Sequence, residues 1–253
     1  MITPLIKKFE WFVHLSDEDR RLLRAMASGG VQHALPGEDI VREGDHPVFV
    51  YLVLDGWAHR YKVLEDGRRQ IISFFLPGDL CDLNIFLLKE MDHSIGALTS
   101  LSYLRVTRQV MDTLVEFSPR IRSALWWDTL VSAAIQREWT VNLGQRSAIE
   151  RVSHLICELF IRTRMVGLGD DQTFPFPVIQ ADLAEATGMT TVHVNRVLQE
   201  LRSRDLILFR RKRLRILDVE GLTRLALFND NYLHLGREGA HMDADDRSAV
   251  GTG

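Results

Sequence analysis

The sequence predicts an α+β chain with three consecutive parts: a β-rich N-terminal half, one long helix, and a helix-turn-helix followed by a short hairpin. Three observations support this prediction. Turn signals separate short apolar runs between Val31 and Val106. Apolar residues then recur at steps of three or four between Pro119 and Leu143, and an arginine cluster follows two short helical segments.

The composition is that of an ordinary globular protein that is large enough for two cores. The chain has 253 residues, of which 46% are hydrophobic and 26% are charged. No apolar run reaches the roughly 18–20 residues of a membrane span, and the first residues lack the apolar segment of a signal peptide. We therefore expect a cytoplasmic protein without membrane contact. Cys81 and Cys157 are too few for a four-cysteine metal site and are interpreted as small buried side chains.

The N-terminal half is predicted to be a sandwich or barrel because its turn signals are spaced about 8–12 residues apart. A helix from Ser16 to Ala27, capped by Ser16, precedes it. The pair Asp66-Gly67 marks a hairpin. The best strand candidates are Val48–Leu54, Ala58–Leu64 and Gln70–Leu76.

The long helix is predicted from about Pro119 to Leu143, with Asn142-Leu143-Gly144 as its end or a hinge. One apolar face is lined by Ile121, Ala124, Trp127, Val131 and Ala134. Two interpretations of this face remain open at this point. It is either the seam of a dimer or a surface that packs onto the chain's own barrel.

The segment from Val178 to Ile207 has the pattern of a helix, a tight turn and a second helix. Ala184 is small where the two helices cross, and Gly188 supplies the positive φ of the turn. The inner face of the second helix is formed by Val194, Val197, Leu198 and Leu201. This spacing of small, glycine and branched apolar residues predicts a helix-turn-helix.

The outer face of this motif carries side chains that are able to read a DNA groove or bind its phosphates. Between Arg196 and Arg215 eight residues are basic and two are acidic, although the whole chain has a net charge of −3. The alternative is a solvated polar face. The predicted DNA-binding residues are Gln180, Thr190, Thr191, His193, Asn195, Arg196, Gln199 and, at the tip of a basic hairpin, Arg211 and Lys212.

From Ser16 to Leu235 the sequence resembles the Crp/Fnr family of bacterial regulators. The strongest local match is GMTTVHVNRVLQELRSRDLI, Gly188 to Ile207. The resemblance implies a β-roll sensory domain like a cyclic-nucleotide-binding jelly roll at 1–117, a long dimerisation helix and hinge at 118–144, and a winged helix-turn-helix at 145–235. Residues 236–253 are expected to be a disordered tail. The resemblance also implies a homodimer that binds a two-fold DNA site and contacts RNA polymerase.

The sequence departs from the family at the effector site and on the recognition helix. The family's phosphate-binding arginine is replaced by His93, which argues against cyclic AMP. The pocket residues by position are Asp82, Leu83, His93, Ser94, Gln136 and Arg137. No cysteine precedes Cys81, so the family's iron–sulfur mechanism is excluded. Thr191 and Val192 stand where other members carry an Arg-Glu pair, so the operator should differ.

We interpret the chain as a sequence-specific DNA-binding transcription regulator, with its effector, if one exists, unidentified. One alternative is a cyclic-nucleotide-binding module that regulates another activity, and another is a family member that needs no ligand. A cupin-type enzyme would need clustered histidine and carboxylate ligands, which the barrel sequence lacks. Neither catalytic nor metal-binding residues are predicted.

Overall fold

The computed structural model describes residues 1–83 and 85–244. The N-terminal half is a β-roll whose strands are β1 (Val31–Ala34), β2 (Asp39–Val41), β3 (Val50–Asp55), β4 (Ala58–Val63), β5 (Arg69–Phe75), β6 (Leu80–Cys81), β7 (Ser94–Ala97) and β8 (Leu101–Val106). They form two four-stranded antiparallel sheets, in the orders β1-β8-β3-β6 and β2-β7-β4-β5. The predicted sandwich or barrel is therefore confirmed, and the three strand candidates correspond to β3, β4 and β5.

Four helices surround the roll: α1 (Thr3–Glu10), α2 (Asp17–Ala25), α3 (Arg108–Phe117) and α4 (Pro119–Gln145). Ser16 caps α2 as predicted, and its side chain accepts from the Asp19 N–H. The sequence prediction missed α1 and α3, which are short. Leu5 and Phe9 of α1 are fully buried, so this helix belongs to the core.

The α4 helix has 27 residues, which gives a length of about 40 Å. The predicted apolar face, from Ile121 to Ala134, is buried within the same chain. Packing onto its own chain is therefore the correct interpretation of that face. The predicted hinge at 142–144 lies inside the last helical turn, and the helix ends one residue later, at Gln145.

The C-terminal part is a winged helix-turn-helix. Its elements are α5 (Ala148–Met165), β9 (Thr173–Pro175), α6 (Gln180–Thr187), α7 (Thr191–Ser203), β10 (Ile207–Arg210), β11 (Arg213–Ile216) and α8 (Val219–Leu225). The strands form a sheet in the order β10-β11-β9. The predicted hairpin is thus present, with Arg211 and Lys212 as its turn.

The two ends of the described chain are packed together. The Phe12 ring stacks on Trp127 with 5.6 Å between centroids. The Gly239 N–H donates to the Phe12 carbonyl at 3.0 Å, and the Ala244 N–H donates to the His14 carbonyl at 3.1 Å. The prediction of a disordered tail from residue 236 is therefore wrong for residues 236–244, which these bonds hold. Residues 245–253 lie outside the described part of the chain.

Candidate nucleic-acid interface and effector pocket

The turn between α6 and α7 fixes the orientation of the second helix. Gly188 ends α6 with φ 64°, in the left-handed region that glycine adopts without strain. The Met189 N–H donates to the Ala184 carbonyl at 3.0 Å, which closes the turn. Thr190 then caps α7, and its hydroxyl accepts from the His193 N–H at 3.2 Å.

The outer face of α7 is exposed, while its inner face fills the core of this part of the chain. Val194 and Leu201 are fully buried. Thr191, His193, Asn195, Arg196 and Gln199 are all exposed, as sequence reasoning requires of a surface that meets DNA. Thr190 is also exposed, but its hydroxyl already serves as the helix cap. Gln180 is exposed at the start of α6.

The hairpin tip presents two more cations. Arg211 and Lys212 are exposed and adopt φ of 49° and 59°, the backbone of a two-residue hairpin turn. Within the described residues, neither side chain has a hydrogen bond or ion pair, and the same holds for Arg196. Next to this tip, Arg213 pairs with Asp170 at 3.3 Å. These free cations are available to a phosphate backbone.

A cavity of about 260 Å³ lies between the roll, α4 and α5. It is lined by Asp82, Leu83 and Gln136, three of the six residues that the sequence placed in the effector pocket. His93 adjoins the cavity through Asp82. Ser94 and Arg137 do not line it, which corrects the prediction for both. Ser94 Oγ accepts from the Glu43 N–H at 3.0 Å, and Arg137 is turned to solvent one step beyond Gln136.

Asp82 is already bound by groups of its own chain. Arg60 Nη2 donates to Asp82 Oδ1, and His93 Nε2 lies 3.0 Å from Asp82 Oδ2. The other ring nitrogen of His93 lies 2.7 Å from Asp92 Oδ1. Burial alone would raise the pKa of Asp82, but the hydrogen bond from His93 and the charge of Arg60 hold that pKa below its ordinary value. An internal carboxylate therefore engages the groups that would meet a ligand phosphate, so a cyclic nucleotide does not fit the residues present.

A buried ionic cluster joins the roll to the C-terminal part, and sequence reasoning missed it. Asp79 accepts from Lys8 Nζ at 2.7 Å and from Arg162 Nη2 at 2.9 Å. Lys8 also pairs with Asp128 at 2.6 Å, and Arg162 donates to Glu158 at 3.2 Å. Burial would raise the pKa of Asp79, but the adjacent Lys8 and Arg162 charges lower it. These residues come from α1, the β5–β6 turn, α4 and α5.

Burial favours the neutral forms of both cysteines and of two histidines. Cys81 and Cys157 are free and buried as predicted, and burial raises the pKa of Cys157 to about 12. Burial lowers the pKa of His59 to about 4 and that of His154 to about 3. Across residues 1–83 and 85–244, no group of three or more His, Cys, Asp or Glu is arranged to hold a metal ion. In the same residues, none of the helices has the length and apolarity needed to span a membrane.

The α4 helix also has a second stripe, which is exposed and mostly apolar. Trp126 is 59% exposed and Leu130 is 62% exposed. The stripe consists of Trp126, Leu130, Ala133, Arg137 and Val141, all of them exposed. Its first three steps, of four, three and four residues, are those of a coiled-coil seam, and Val141 lies one turn further along.

Two known protein families match separate parts of the chain. Residues 31–116 match the family described as "Cyclic nucleotide-binding domain". Residues 150–225 match the family described as "Crp-like helix-turn-helix domain". The first match covers the roll strands, and the second covers α6, α7 and the wing.

Similar proteins extend over both parts. The nitrogen fixation regulation protein FixK of Bradyrhizobium diazoefficiens is 31% identical over 170 residues, 67% of this chain and 70% of the relative. The transcriptional activator protein FnrL of Cereibacter sphaeroides is 26% identical over 180 residues, 70% of this chain and 72% of the relative. The solved structure of FixK2 from Bradyrhizobium japonicum has a TM-score of 0.69 at 25% identity, covering 78% of this chain and 96% of that one.

Proposed function

The chain belongs to the Crp/Fnr family of transcription regulators, and we propose that it binds a two-fold DNA site as a homodimer and contacts RNA polymerase there. It is a sequence-specific DNA-binding regulator of this type. We assign sensing to residues 1–117, dimerisation to 118–144 and DNA binding to 145–235. We place the protein in the cytoplasm and assign it no catalytic activity.

The observation that carries this proposal is the state of the polar side chains on α7 and the wing. Asn195, Arg196 and Gln199 are exposed and have no hydrogen bond or ion pair within the described residues. Arg211 and Lys212 are equally free at the wing tip. A recognition helix of this kind enters the major groove, while the wing neutralises phosphates. We therefore propose that base contacts come from α7 and backbone contacts from Gln180, Thr190 and the wing.

The exposed stripe of α4 supports the homodimer. An exposed tryptophan and leucine one turn apart would be costly to leave in water, and pairing with the same stripe of a second chain buries both. We expect wild-type protein to have twice the chain mass by light scattering, and Leu130→Asp to be monomeric. The matched control is Val63→Asp, which places the same charge at an exposed position on β4. If the Leu130→Asp variant is still a dimer, the exposed stripe of α4 is not the dimer interface.

The regulator's response to ligands is the part of the proposal in which alternatives remain. The internal contacts of Asp82 with Arg60 and His93 favour a family member that works without a cyclic nucleotide. Calorimetry with cyclic AMP, cyclic GMP and cyclic di-GMP is expected to show no binding. Micromolar affinity for any of them would instead support the cyclic-nucleotide-binding module. No role is assigned in the ligand-independent form to Leu83, Ser94, Gln136 and Arg137.

The test of DNA binding is selection of bound duplexes from a random pool, followed by titration of the enriched sequence at several salt concentrations. We expect an inverted repeat and a steep loss of affinity as salt rises, because several phosphates are neutralised. Binding that stays constant between about 50 and 300 mM salt would contradict phosphate neutralisation. A pool without an enriched sequence would contradict sequence-specific recognition.

A further inference from the structure

Val192 is an apolar residue on the otherwise polar outer face of α7. Its side chain is 62% exposed, whereas the other valines of this helix, Val194 and Val197, are in the core. It is the second residue of the helix, so it lies at the end that enters a groove most deeply. Val192 therefore lies on the DNA-facing side without a core to fill.

The neighbours of Val192 on the helix surface are the residues proposed to read bases. Asn195 and Arg196 lie three and four positions further along, which places them on the same ridge. Gln199 continues that ridge one turn later. Because Arg196 and Asn195 must approach base edges to read them, Val192 is carried into the groove beside them.

The ridge carries no carboxylate in its first two turns. The first acidic residue of α7 is Glu200, whose carboxylate accepts from Arg204 near the end of the helix. A carboxylate is the side chain that accepts from the amino group of cytosine in the major groove. A valine offers neither donor nor acceptor, and the base feature it complements is the C5 methyl of thymine.

We propose that Val192 reads a thymine in each half-site through the C5 methyl of that base, next to the base pair read by Arg196. This proposal rests on the proposed function, since it names the base that one residue of the same interface selects. The recognition helix then combines hydrogen-bond readout by Arg196 and Asn195 with methyl readout by Val192.

The experiment begins with duplex selection by wild type and by Val192→Ala. The position at which Val192→Ala relaxes the preference identifies the contacted base pair. In the wild-type site the thymine there is then replaced by deoxyuracil, which removes only the methyl. We expect wild type to bind the uracil duplex about four-fold more weakly, the value of one buried methyl group. We expect Val192→Ala to bind both duplexes equally.

Two further measurements sharpen the result. Val192→Glu is expected to move the preference at that position from thymine to cytosine, because its carboxylate accepts from the cytosine amino group. Val192→Thr keeps one methyl and is expected to retain part of the thymine preference. Both side chains are exposed at this position, so thermal unfolding should stay at the wild-type midpoint.

The outcomes separate the proposal from the function on which it rests. If wild type enriches a specific site but binds thymine and uracil equally at every position that Val192→Ala affects, methyl readout is wrong while sequence-specific DNA binding stands. The same holds if Val192→Ala leaves the selected sequence unchanged, because Val192 is then an incidental surface residue. If wild type enriches no sequence at all, the DNA-binding function itself fails.

Discussion

The buried ionic cluster between the roll and the C-terminal part and the exposed outer face of α7 use the same charged residue types in opposite ways. In the buried ionic cluster, Arg162 donates to Asp79, to Glu158 and to a backbone carbonyl, so its charge is engaged inside the protein. On the outer face, Arg196 has no hydrogen bond or ion pair within the described residues. The first arrangement links parts of one chain, and the second leaves a charge available to another molecule.

This difference predicts which substitutions should lower stability and which should weaken DNA binding. A buried ion pair is weak evidence of net stability, yet removal of one partner leaves an uncompensated charge and is strongly destabilising. Removal of an exposed, unpaired cation leaves folding almost unchanged and weakens only the interaction with its ligand. Stability and DNA affinity should therefore respond to separate sets of residues.

The largest effect on stability is expected in the buried ionic cluster. Arg162→Met leaves Asp79 and Glu158 without their guanidinium partner, and we expect the free energy of unfolding to fall by about 3–5 kcal/mol in urea denaturation. The control is Arg164→Met on the same helix, where the exposed guanidinium lies over the Phe160 ring. That variant should lose less than about 1 kcal/mol. Equal losses in Arg162→Met and Arg164→Met would show that the buried ionic cluster contributes no more to stability than an exposed arginine does.

The buried histidines give the next largest effect, through pH. Burial lowers the pKa of His154 to about 3 and that of His59 to about 4, so the unfolded chain binds protons at a higher pH than the folded one. The stability that the two neutral histidines contribute is therefore complete above about pH 6.5 and is lost as the pH falls toward their folded-state pKa values. The slope approaches about 1.4 kcal/mol per pH unit for each histidine.

Urea unfolding between pH 7 and pH 5 measures this slope. His154→Gln should reduce this slope by the contribution of one proton, about 1.4 kcal/mol per pH unit. An unchanged slope in His154→Gln would assign the pH dependence to other groups.

A smaller effect, confined to binding, is expected on the recognition helix. Arg196→Ala should weaken binding to the selected operator by about 1–3 kcal/mol and relax the preference at one base pair. The thermal midpoint should remain that of wild type. Arg204→Ala, which removes an arginine already paired with Glu200, is the matched control and should keep operator affinity. Loss of stability in Arg196→Ala would place this side chain in the fold instead of the interface.

The smallest effect concerns the wing. Lys212→Ala should weaken binding to all duplexes alike and reduce the salt dependence by about one phosphate contact. Lys89→Ala, an exposed change on the roll, should leave the salt dependence as it is. A sequence-dependent effect of Lys212→Ala would mean that the wing reads bases.

The sequence predicted those features whose signal is local. The hairpins of the roll, the glycine turn at Gly188 and the wing follow from short patterns, and all are present in the structure. The ionic cluster gave no such signal, because Lys8, Asp79 and Arg162 are brought together only by the fold. In the same way, no local pattern indicates that Arg60 lies against Asp82 in the folded roll.

The α4 helix shows the limit of periodicity. The stripe that is regular in sequence packs inward, and the second stripe was overlooked because a helix with two apolar faces has no clear polar side. Periodicity identifies an apolar face of a helix but does not show what that face packs against. The missed α1 has a different cause, since a helix of eight residues is too short to establish a repeat.

The packing of Phe12 between Trp127 and Gly239 has a consequence for the order in which the chain is completed. During synthesis the first residues leave the ribosome long before residues 239–244, which hold them in place. The contacts of Phe12 and His14 with residues 239–244 can therefore form only after almost the whole polypeptide has been made.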